Sequence, residues 1–79
     1  PLSPEAGVWL KALKALIVER AEQLGIPSEI LVRKKPLEAL LRSGFPRGGA
    51  ELPEVLSGWR KEVIGDTLVA QIEALAKPA

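Results

Sequence analysis

Leu10, Leu13, Ile17, Ala21 and Leu24 recur at steps of three and four residues, which lines one face of a helix. Trp9 and Leu16 widen that face, while Lys11, Lys14, Glu19, Glu22 and Gln23 fall elsewhere. Ser3-Pro4 supplies an N-cap followed by a proline at the first helical position, so the helix has a start. Gly25 supplies the left-handed residue that ends it. Arg20 lies at the apolar edge beside Leu13 and Leu16; it is expected either to meet a carboxylate from another helix or to carry its head out to water.

Later elements read the same way but are shorter. Pro27-Ser28-Glu29 restarts a short helix through Ile30 and Leu31, reaching Val32 at the furthest, and Lys35-Pro36 is expected to break it, since a residue before proline disfavours helical geometry. Leu37, Leu40 and Leu41 share one side of a third helix that stops at Gly44. "FPRGGAE" reads as a loop. Leu52-Pro53-Glu54 opens a fourth short helix carrying Val55 and Leu56, ended by Ser57-Gly58. Trp59 leads a longer last helix with Ile64, Leu68, Ile72 and Leu75 on one face, and Gly65 loosens its middle. No run alternates with period two, and no repeat is evident. The expected fold is all-α: a compact bundle of five helices, two longer ones packing with three short ones.

Chemistry is limited by what is missing. The 79 residues include no cysteine, histidine or methionine, so the commonest bases, thiol nucleophiles and transition-metal ligands are absent. Asp66 is the sole aspartate, too little for a two-metal phosphoryl-transfer site. Glu19 with Glu22, and Glu51 with Glu54, read as solvated helix faces. Gly48-Gly49 lacks the spacing of a phosphate cradle and reads as a loop. No catalytic and no metal-ligating residue is assigned. No apolar run approaches the roughly 20 residues of a membrane span. The start "PLSPEA" and the lack of methionine suggest a piece of a longer protein, with residues 1–79 forming one small domain.

Charge is less evenly spread. The stretch "LVRKKPLEALLRSGFPRGG" holds Arg33, Lys34, Lys35, Arg42 and Arg47 against the single acid Glu38, although the whole chain has 11 basic and 10 acidic residues. With Leu31, Leu37, Leu40 and Leu41 turned inward, the cations are left outside, where they can meet successive phosphates. Arg60 and Lys61 can extend the patch; at a helix start they oppose the dipole, so something other than helix stability placed them. A plain solvated edge explains the same charges. Trp9 and Trp59 are predicted in the core, which leaves Phe45 as the one candidate for an exposed stacking ring.

"ALKALIVERAEQLGIPSEILVRKKPLEALLRSG" resembles the opening half of an HRDC (helicase-and-RNase-D C-terminal) domain, in which a long helix ends in a G-I-P turn before two shorter helices. "LPEVLSGWRKEVIGDTLVAQI" is similar to the C-terminal end of bacterial ribonuclease D, through the segment Gly58 to Asp66. The resemblance implies a five-helix accessory domain of a cytoplasmic 3′-to-5′ exoribonuclease that trims the 3′ ends of tRNA precursors and other structured RNAs. Its divalent metal and catalytic acids belong to a separate exonuclease domain, so this chain needs no cofactor of its own. The implied partners are RNA and that exonuclease domain. The implied RNA-binding role falls on Arg33, Lys34, Lys35, Arg42 and Arg47 because those residues are present. The alternative is a helical module that packs on the catalytic domain or a sister HRDC domain without touching RNA. A helicase-type HRDC domain acting on DNA fits the "GWRKEVIGD" ending less well.

Overall fold

A computed structural model describes residues 2–77. All regular structure among them is helical: α1 (Pro4–Leu24), α2 (Ser28–Leu31), α3 (Lys34–Gly44) and α4 (Asp66–Ala76), with a 3-10 turn at Glu54–Leu56 and a π turn at Lys61–Gly65. The all-α expectation holds, but the count of five does not. The predicted fourth helix is only that 3-10 turn, closed by Leu56 N–H to Pro53 O (2.9 Å) and Ser57 N–H to Glu54 O (3.0 Å). Gly58, at φ 74°, then redirects the chain.

α1 is capped as its sequence demands. Ser3 Oγ accepts from the Ala6 N–H at 3.2 Å, and Gly25 sits at φ 70° with its N–H turned back on Ala21 O and Glu22 O. Ile26 N–H closes the turn onto Ala21 O (3.1 Å). The inward stripe is Ala6, Trp9, Leu13, Ile17 and Ala21. Leu10 is half-buried and Leu24 is exposed, so the buried stripe ends at Ala21.

The break between α2 and α3 falls at Val32-Arg33, both extended, rather than at Lys35-Pro36. Pro36 instead lies in the first turn of α3, where no backbone N–H has an intrahelical partner and a proline takes nothing away. Leu37, Leu40 and Leu41 are buried against α1 and α4, as their spacing predicts. With Leu13, Leu31, Leu56, Ile64, Leu68 and Ile72 they form one core.

Two glycines mark where backbones meet. A Cβ on Gly44 would stand 2.5 Å from Ile72 Cγ2 and 2.8 Å from Ala50 Cβ, so α3 ends where α4 and the following loop come closest. Gly65 is buried at the end of the π turn, and a Cβ there would meet Leu52 Cδ2 at 3.0 Å. The glycine expected to loosen the last helix thus closes its wider π turn and is a packing point as well. The loop after α3 is fastened at several places. Ser43 Oγ accepts from Glu51 N–H (2.8 Å) and donates to Leu40 O (2.7 Å), while Glu73 of α4 accepts from Gly49 N–H (2.7 Å) and Ala50 N–H (3.0 Å).

The aromatic residues divide differently from their sequence reading. Trp9 is buried, as predicted. Phe45, the candidate exposed stacker, packs edge-on against it with centroids 4.8 Å apart. Trp59, predicted in the core, is 53% exposed.

Candidate nucleic-acid interface

Arg33 is the N-cap of α3, Lys34 and Lys35 occupy its first turn, and Arg42 its last. Arg47 rides on the loop that Ser43 and Glu73 hold. All five side chains are exposed, and none joins an ion pair within 4 Å among the described residues. Lys35 and Arg42 are seven residues apart, two turns, so they share one outward stripe about 10 Å long. The leucines at 37, 40 and 41 face the other way and fix that orientation.

The first turn of α3 is electrostatically unusual. It carries two lysines and no acid, and Arg33 makes no side-chain cap. Cations beside the positive end of a helix dipole are unfavourable by a few tenths to about 1 kcal/mol each. That end of α3 therefore presents positive charge from side chains and backbone together.

The two other predicted cations are engaged within the fold. Arg60 is half-buried; its Nε donates to Leu31 O and its Nη2 to Ile30 O, both at 3.0 Å, satisfying carbonyls at the C-terminal end of α2. This explains why a cation stands at the start of the last helix. Lys61 pairs with Asp66, Nζ to Oδ1 at 3.0 Å, on the surface. Arg20 meets no carboxylate among the described residues: it stays exposed, as the second expectation had it, while its Nε donates to Val63 O (2.9 Å) inside the π turn and its Nη1 to Gln23 Oε1 (2.9 Å).

One residue was missed from sequence. Lys14 lines an open groove with Lys34 and the acid Glu29, together with Ile17, Val32 and Leu37. On α1 alone it is one more polar-face lysine; only the docking of α2 and α3 brings it beside the basic edge. Among the described residues no three acids cluster to hold a metal ion, and no helix is long and apolar enough to cross a membrane.

Helical order, the turn after α1 and the Gly58–Asp66 segment are the features on which the HRDC resemblance rests. Residues 4–68 match the family of the ribonuclease D C-terminal HRDC domain. The chain belongs to that family. The ribonuclease D of Pseudomonas paraeruginosa is 49% identical over 74 residues, which cover 94% of this chain and 20% of that protein. The ribonuclease D of Serratia proteamaculans is 38% identical over 68 residues, 85% of this chain and 17% of that protein. The Shewanella enzyme is 36% identical over 67 residues, with the same coverage of 85% and 17%. The chain thus spans about a fifth of the length of these relatives, and it corresponds to their HRDC part, not to a catalytic domain. No solved structure matches the chain.

Proposed function

We infer that this HRDC domain binds RNA through the α3 edge and holds it for a separate exonuclease domain of the same protein. The supporting observation is that Arg33, Lys34, Lys35, Arg42 and Arg47 are exposed and, among the described residues, without an ion-pair partner, in a chain with almost no net charge. Phosphate contacts need no pocket. Each one releases condensed counterions, which drives binding without reading sequence. In this reading residues 1–79 are one accessory domain of a cytoplasmic ribonuclease D-like 3′-to-5′ exoribonuclease acting on tRNA precursors. The divalent metal and the hydrolysis belong to the other domain. Arg60 and Lys61 contribute less directly, since the fold already holds them.

The test is a salt titration of the 79-residue chain with a short single-stranded RNA. Three to five phosphate contacts give a slope of log affinity against log salt of roughly −2 to −3.5. RNAs of different sequence should bind about equally. A chain that binds no RNA at low salt would overturn the reading. A second reading, docking on another domain without RNA contact, draws on exposed Val8 and Val55, 64% and 56% accessible. It takes over if that titration is flat.

A further inference from the structure

Trp59 combines the largest apolar side chain of the molecule with a surface position, at 53% exposure. Gly58, at φ 74°, turns the chain so that the indole stands outside the bundle. The ring is nevertheless not loose. The Arg60 guanidinium carbon lies 4.3 Å from its centroid, and two hydrogen bonds to Ile30 O and Leu31 O pin that guanidinium. One face of the indole is thus backed by a fixed cation, which keeps the ring oriented without burying it.

The position relative to the basic edge matters equally. Arg60 is bonded to Leu31 O, and only Val32 separates Leu31 from Arg33, the first unpaired cation. Two residues span at most about 7 Å. A half-exposed ring backed by a fixed cation, close along the chain to exposed cations, suits a stretch of unpaired nucleotides: base on the ring, backbone phosphates on the charges.

We propose that Trp59 is a stacking seat for an unpaired base of an RNA strand whose phosphates lie on Arg33 and Lys34. This deepens the RNA-edge reading and rests on it, since it specifies single-stranded rather than fully paired RNA as the ligand. Arg60 is then a positioning residue, holding the indole from beneath. A protein surface on the same ring is the competing occupant, and the test separates them.

Acrylamide quenching of the 79-residue chain reads Trp59 directly, because Trp9 is only 6% exposed. A short oligoadenylate should shield Trp59 from acrylamide, whereas inorganic polyphosphate, an anion without bases, should leave it open. Trp59→Leu should weaken oligoadenylate binding about 5- to 100-fold, with Trp59→Phe recovering part of the loss. Neither change should alter polyphosphate binding or the salt slope, which report phosphate contacts alone. If Trp59→Leu binds oligoadenylate like the parent, or Trp59 stays open to acrylamide in the complex, the stacking seat is overturned and the RNA edge stands. If the parent binds no oligoadenylate, both fall together.

Discussion

Two groups of cations on this small domain have opposite fates. Along the seam where α1 and α2 meet the start of the last helix, Arg20 and Arg60 direct their guanidinium groups at backbone carbonyls: Val63 O in one case, Ile30 O and Leu31 O in the other. On α3 and the loop after it, Arg33, Lys34, Lys35, Arg42 and Arg47 are exposed and make no ion pair among the described residues. At α2 the backbone accounts for the bonding: a four-residue helix ends in carbonyls without intrahelical N–H partners, and the planar fork of Arg60 donates to two of them. On the α3 edge no such bond is made by these side chains among the described residues, which is what the RNA-edge proposal draws on. A charge in the sequence says nothing about which fate it meets.

Substitutions can sharpen that contrast, measured as unfolding free energy in denaturant. Leu13→Ala, in the core beneath both regions, should cost roughly 2–5 kcal/mol and sets the scale. Gly44→Ala should cost roughly 1–3 kcal/mol, because the added methyl meets Ile72 and Ala50. Arg60→Gln should cost about 1–2 kcal/mol, since two carbonyls of α2 lose a charged donor. Lys34→Gln with Lys35→Gln should stay within about 0.5 kcal/mol, with a slight gain permitted where two cations leave a helix start. Should the lysine pair prove as costly as Arg60→Gln, the two regions are not different in kind.

How much of this was readable beforehand follows from the same physics. The caps of α1, the inward leucines of α3 and the apolar face of α4 are local patterns, and each appears where the sequence puts it. Trp59 was misplaced because periodicity cannot see that Gly58 turns the chain outward. Phe45 was misplaced because its partner, Trp9, lies thirty-six positions earlier and meets it only after α3 docks. The Lys35-Pro36 break failed because proline is tolerated in a first turn, and the real junction at Val32-Arg33 carries no such punctuation. The five exposed cations were readable as a cluster. That Arg60 is engaged by α2, and that Lys14 joins Lys34, are consequences of tertiary packing alone.

The salt dependence of RNA binding by the Lys34→Gln/Lys35→Gln variant tests the role of the free edge most directly, with Lys61→Gln as the matched comparison because Asp66 already neutralises that lysine. The slope for the lysine pair should be shallower than the parent's by about 1 to 1.5, since roughly 0.7 is lost per phosphate contact to a single strand. Lys61→Gln should leave the slope nearly unchanged. A lysine-pair variant that follows the parent across the whole salt series would contradict the assignment of the α3 edge to RNA.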